Sequence, residues 1–229
     1  MTAFSCFASR PILCFAARTT GSTPVSRPHI VVAASGGGSN VKAIIEAQRA
    51  GRLHAIIAGL IVSSESAGAL DIAAEADIPC AVLKKEEKQC PKRLATALLR
   101  QLEAWQCDVF VLAGFLLKIP EIVIDRYPRH ILNIHPSLLP AFGGKGYYGM
   151  HVHRAVVRSG VRETGCSVHI VNEAFDEGPV LEQARLTVHP DDTPETLAAR
   201  VLALEHRLYP AAIDRYLKQL SISNSAPKS

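Results

Sequence analysis

Two side chains able to hold a developing negative charge stand two positions apart in the run HILNIH: Asn133 and His135. In a strand, residues i and i+2 point to the same side, so the amide and the imidazole would project together. An amide N–H and a protonated imidazole aimed at one carbonyl oxygen stabilise the charge that develops when an amine attacks it. An unperturbed imidazole is mostly neutral at pH 7, so this arrangement needs a nearby acid. Asp176, in the loop Glu173 to Gly178, would supply it by raising the pKa of His135 and fixing its ring. It would also relay a proton through water from the attacking amine. The chemistry to expect is acyl transfer. Asn-x-His pairs also occur without such a role, and a loop aspartate often caps a turn, so incidental placement stays open at this point.

A second constellation lies near the start. HIVVAA runs directly into Ser35, Gly36, Gly37, Gly38, Ser39 and Asn40, and a helical pattern follows. Glycines let backbone N–H groups approach an anion, and a helix N-terminus adds donors and a favourable dipole, so a phosphate would fit. Val41 stands where G-x-G-x-x-G would place its third glycine, and no Walker Gly-Lys-Ser/Thr is present, which disfavours NAD and ATP. Tight packing is the alternative reason for such a turn.

These residues need a scaffold that gathers strand ends. From His29 the chain alternates apolar runs with helical patterns: HIVVAA, a helix near 40–50, HAIIAGLIVS, a helix near 67–76, CAVL, a helix near 92–105, and DVFVLA. A short helix near 119–126, the strand HILNIH, a long loop 136–150, a helix near 151–159, and the strands CSVHIV and PVLEQARLTV follow. A last helix begins at Thr193 with Pro194 in its first position and is expected to end near Leu217, with a frayed tail from Ser221. Continuous apolar strands separated by helices predict a single α/β domain: a mostly parallel, doubly wound, Rossmann-like sheet with helices on both faces. Right-handed crossovers put the strand ends, and the ligands, on one edge. The loop 136–150 contains FGGKGYYG, and a loop that long inside a domain is usually functional.

Composition narrows the class. A chain of 229 residues, 48% hydrophobic and 20% charged, can bury one sizeable core, and a net charge of +4 indicates neither a nucleic-acid nor a membrane surface. No apolar run reaches the roughly 20 residues that span a bilayer. The six cysteines, at 6, 14, 80, 90, 107 and 166, form no C-x-x-C pair and lack metal or disulfide-framework spacing, which fits reduced thiols. Residues 1–28 carry Arg10, Arg18 and Arg27, no acid, and repeated Ser and Thr, as organelle transit peptides do; a disordered extension is the alternative. The catalytic domain is expected over 29–218 and a tail over 219–229.

Other residues are read more plainly. His151 and His153 point apart on a helix, so no metal pair is expected, and none elsewhere. His169 either sits beside the site or serves as a hydrogen-bonded structural histidine. Trp105 is read as packing, and Lys145, Tyr147 and Tyr148 as either loop surface or substrate contacts.

Taken in order, ASGGGSN, LAGFLLKI, LNIHPSLLP, TGCSVHIVNEAFDEGP and ARVLALEHRLYP resemble the phosphoribosylglycinamide formyltransferase family, over about His29 to Leu217. The resemblance implies the formyltransferase fold and transfer of a formyl group from the co-substrate 10-formyltetrahydrofolate to the amine of glycinamide ribonucleotide, a step of purine synthesis. It implies that Asn133 and His135 hold the oxyanion while Asp176 organises His135 and a proton-carrying water. Gly37, Gly38, Ser39 and Asn40 would hold the substrate phosphate, and Glu205 the ribose end. The folate would lie against Leu116, Leu117, Lys118 and Ile119, beside Asn133, and against Asn172, Glu173, Ala174, Phe175 and Asp176, largely through backbone.

The sequence departs from the family pattern at Leu117, where many relatives have Arg, at Leu202, where many have Gln, and in the longer FGGKGYYG loop. Oligomeric state is left open. Location is cytoplasmic, or plastid or mitochondrial if residues 1–28 are a transit peptide. A formyltetrahydrofolate hydrolase is the nearest rival, but it typically has a second His where Pro136 stands and an N-terminal regulatory domain. Methionyl-tRNA formyltransferase carries a further RNA-binding domain. A non-catalytic folate or nucleotide-binding module is the rival from another class.

Overall fold

The apolar runs are buried on both sides, which only a sheet covered by helices on each face allows. The computed structural model describes residues 27–225. Its strands are β1 (His29–Ala34), β2 (Ile56–Val62), β3 (Cys80–Val82), β4 (Val109–Leu112), β5 (Ile131–His135), β6 (Glu163–Ile170) and β7 (Val180–Thr187). They form one sheet in the order β3-β2-β1-β4-β5-β6-β7. The pairs from β3 through β5 are parallel, and β6 and β7 add antiparallel edges. The helices are α1 (Ser39–Arg49), α2 (Ala69–Ala74), α3 (Lys85–Lys88), α4 (Pro91–Ala104), α5 (Glu121–Arg126), α6 (Met150–Ser159) and α7 (Pro194–Ser225).

Alternate residues of β1 serve opposite faces. Ile30, Val32 and Ala34 pack with residues of α1, α2, α6 and α7, whereas Val31 and Ala33 pack with α4 and α5. The chain winds outward from β1 to β3 and then returns to place β4 on the other side of β1. Strand order therefore reverses between β1 and β4, the crevice where α/β sheets bind ligands. The two loops at that point are stitched together: the Ser35 amide donates to the Gly114 carbonyl at 3.0 Å, and the Leu116 amide to Ser35 Oγ at 3.0 Å.

Helix α7 clamps the sheet below the site. The fully buried Tyr209 hydroxyl is shared between the Leu112 and Leu132 carbonyls, at 2.9 and 3.1 Å. The expected tail from Ser221 is corrected, since α7 continues to Ser225. Once a helix is formed, each added residue gains a bond at little cost, and the next breaker in the sequence is Pro227. Residues 1–26, which hold most of the transit-peptide expectation together with Cys6 and Cys14, lie outside the described residues, as do 226–229. Cys80, Cys90, Cys107 and Cys166 are free thiols.

Candidate active site

Strand β5 delivers Asn133 and His135 to the ligand edge on one side, as the period of two demands. The antiparallel return of β6 sets His169 opposite Asn133 and Ser167 opposite His135. Asn133 Nδ2 stands 3.0 Å from His169 Nε2, and His169 Nδ1 meets the Ile170 carbonyl at 3.1 Å. Asp176, from the β6–β7 connection, sits between the rings: Oδ2 is 3.4 Å from His135 Nδ1 and Oδ1 is 3.5 Å from His169 Nε2. His169 is thus both beside the site and structurally tied.

The charge states differ from the sequence expectation. His135 is 4% exposed, and burial drives its pKa below the ordinary value even though Asp176 and the Phe142 carbonyl pull it upward. His135 is therefore neutral at rest, not protonated. Its Nε2–H donates to the Phe142 carbonyl at 2.8 Å, which leaves the Nδ1 lone pair toward Asp176. Burial alone would raise the Asp176 carboxyl, but a bond from the His169 ring and the Gly144 amide, which donates to Oδ2 at 3.0 Å, hold it below the usual value. Asp176 is an anion waiting beside an unprotonated nitrogen. Asn133 and His135 do not converge on an open point in this state, because each already has a protein partner.

This cluster forms one wall of a cavity of about 510 Å³, within the range of small-molecule sites. The predicted folate residues Leu116, Leu117, Lys118, Ile119, Asn133, Asn172, Glu173, Ala174, Phe175 and Asp176 all line it. Leu116 and Phe175 are exposed at its mouth, and Lys118 Nζ lies 5.4 Å above the Phe175 ring. Leu117 packs against the core. The segment Gly144 to Gly149 forms the opposite rim, with Tyr147 and Tyr148 exposed.

The residues expected to hold the ribonucleotide form a separate group outside this cavity. Gly38 precedes α1 in left-handed backbone (φ 78°), and the first-turn amides that follow have no intrahelical acceptor. Asn40 Nδ2 donates to Glu205 Oε2 at 2.7 Å, joining the cradle to α7. Burial pushes Glu205 up to about 7 against the opposing Asn40 bond. Asn40 Oδ1 is buried without a partner. The Ser35 stitches link this group to the Gly114–Leu116 wall of the cavity.

Sequence reasoning missed three contributors: the Phe142 carbonyl, the Gly144 amide and the Tyr209 hydroxyl. The first two are backbone groups, which carry no residue signature. His153 is buried and His151 exposed, so they do not meet. Among the described residues no group of three or more His, Cys, Asp or Glu could hold a metal ion, and no helix is long and apolar enough to cross a membrane.

Comparison with known proteins gives consistent matches. The profile of the family described as formyl transferase matches residues 28–213. The chloroplastic phosphoribosylglycinamide formyltransferase of Vigna unguiculata is 44% identical over 191 residues, covering 83% of this chain and 61% of that protein. The phosphoribosylglycinamide formyltransferase of Escherichia coli (strain K12) is 35% identical over 185 residues, covering 81% of this chain and 85% of that protein. Among solved structures, glycinamide ribonucleotide transformylase 1 from Symbiobacterium toebii aligns with a TM-score of 0.81 at 34% identity, over 88% of this chain and 94% of that one. The chain spans about three fifths of the length of the chloroplastic relatives it matches.

Proposed function

We propose, starting from the fact that the chain belongs to the formyl transferase family, that it transfers a formyl group from 10-formyltetrahydrofolate to the amine of glycinamide ribonucleotide, a step of purine synthesis. Its relatives of 35% and 44% identity are named for that reaction. The observation that carries the reading is the Asn133, His135, His169 and Asp176 cluster at the wall of the 510 Å³ cavity. The catalytic domain is read as residues 29–218.

In this reading the pterin lies along Leu116–Ile119 and Asn172–Asp176, while the phosphate sits on Gly37–Asn40 and Glu205 meets the ribose. The substrate amine attacks the formyl carbon, and the Asn133 amide and the His135 Nε2–H hold the resulting oxyanion. The amine proton passes by way of Asp176 and water to His135 Nδ1, which faces that carboxylate at 3.4 Å. The imidazolium so formed stabilises the oxyanion. When the carbon–N10 bond breaks, N10 of tetrahydrofolate takes that proton, and formylglycinamide ribonucleotide is released.

The partners are the two small-molecule substrates. The acid-free residues 1–28 and the chloroplastic names of two relatives favour a plastid over a mitochondrion or the cytoplasm, decided by where a reporter fused to residues 1–28 accumulates.

Purified protein is expected to release tetrahydrofolate and formylglycinamide ribonucleotide only when both substrates are present, followed by absorbance and mass spectrometry. Formate release without the ribonucleotide would instead identify a hydrolase. Binding without turnover would identify a binding module.

A further inference from the structure

We propose that the loop between β5 and α6 belongs to the catalytic apparatus, with the Phe142 carbonyl and the Gly144 amide acting as backbone positioning groups for His135 and Asp176. The first fixes which imidazole nitrogen carries the hydrogen. The second fixes where the carboxylate stands. The proposal rests on the formyl-transfer reading of the site.

A carbonyl can only accept, so the 2.8 Å contact from His135 Nε2 to Phe142 assigns the hydrogen to Nε2. Nδ1 is thereby kept as the lone-pair atom that faces Asp176 Oδ2 at 3.4 Å. The same oxygen accepts the Gly144 amide at 3.0 Å. Two backbone groups two residues apart thus grip side chains from two different elements.

The loop is built to aim these groups. Phe142 and Gly144 have φ of 55° and 92°, both left-handed, and for phenylalanine that conformation costs about 1–2 kcal/mol. Strain of this kind persists where the surroundings enforce it. Here the Phe142 ring packs on the core and meets Tyr147 edge-on at 6.3 Å, and Ser137 Oγ donates to the preceding Ala141 carbonyl at 2.6 Å. The titratable groups around His135 are Asp176 from the β6–β7 connection, His169 from β6 and His153 from α6.

Gly144→Ala tests the idea, because at φ 92° a side chain strains the backbone although the space beyond is open, the nearest atom being the Phe175 carbonyl at 4.0 Å. Turning the amide away from Asp176 is expected to lower kcat on the order of tenfold to a hundredfold with KM for the ribonucleotide unchanged. It should also move the acid limb of the kcat profile to higher pH, since that amide helps hold the carboxyl down. Gly160→Ala, at φ 68° at the end of α6 and equally open, carries the same strain away from the site and should leave the profile in place.

A loss confined to KM or to thermal stability, or an unmoved acid limb, would overturn the proposal. If the wild-type protein transfers no formyl group, the formyl-transfer reading fails on its own. The Asp176 pKa read by carbon NMR in wild type and Gly144→Ala then still decides the clamp: a rise supports it and no change sinks it.

Discussion

At the proposed reaction centre the decisive quantity is the balance on His135 between burial and its neighbours. Its burial outweighs the pull of Asp176, so the ring rests neutral with a hydrogen on Nε2 and a lone pair on Nδ1. A resting imidazolium would have nothing left to accept, whereas the neutral ring can take a proton as the oxyanion forms. Asp176→Asn removes the charge while keeping the shape, because an amide can offer its oxygen to Gly144 at the Oδ2 position and turn its nitrogen toward His169 at the other. We expect kcat to fall about a hundredfold or more. Ribonucleotide affinity, measured by calorimetry, should change little, since Asn40 and Glu205 are tied to each other rather than to Asp176. Equal loss of both would remove Asp176 from proton transfer. Residue types and spacing made Asn133, His135 and Asp176 legible, because strand parity and a loop acid are sequence properties. The protonation state was not legible, because it depends on how deeply β5 is buried.

Among the elements, the turn from β1 into α1, where the ribonucleotide phosphate is proposed to sit, shows what glycine types can and cannot reveal. Gly36 and Gly37 have open space around them, while a Cβ on Gly38 would lie 2.7 Å from Ala69 Cα in α2, at φ 78°. Gly38→Ala is expected to cost about 1–3 kcal/mol in denaturant unfolding and to weaken binding of the ribonucleotide. Gly36→Ala should cost far less stability, and equal losses would mean that the α1–α2 approach is unimportant. The sequence marked the glycine cluster but not which glycine matters, since Ala69 is about thirty residues away and meets Gly38 only in the fold. The long alternating elements were legible from apolar runs and caps. The four-residue α3 and the last turns of α7 were not, because they depend on local bonds such as that from the Lys84 amide to Glu87, and on helix propagation, rather than on hydrophobic period.

Across the whole molecule, pH sets buried groups against one another. Burial lowers His135, His153 and His206, so their contribution to stability is full above their unfolded value of 6.5 and is lost as pH falls. Asp176, Asp192 and Asp214 are held low, so theirs is present above 3.8 and is lost at lower pH. Glu205 runs the other way. Its folded pKa of about 7 exceeds its ordinary 4.5, so the folded chain keeps a proton that the unfolded chain releases. Its contribution is full below 4.5 and is lost as pH rises through about 7. At about 1.4 kcal/mol per pKa unit, the penalty for the buried charge above pH 7 is on the order of 3 kcal/mol. Glu205→Gln keeps an oxygen for the Asn40 amide and removes that penalty. The variant is expected to gain stability over wild type as pH is raised from 5 to 8, by several degrees in thermal unfolding. A difference that does not change with pH would mean the carboxylate is not penalised in the fold. In the proposed function the ribose meets Glu205, so the same variant should bind the ribonucleotide more weakly at pH 8 while unfolding at a higher temperature.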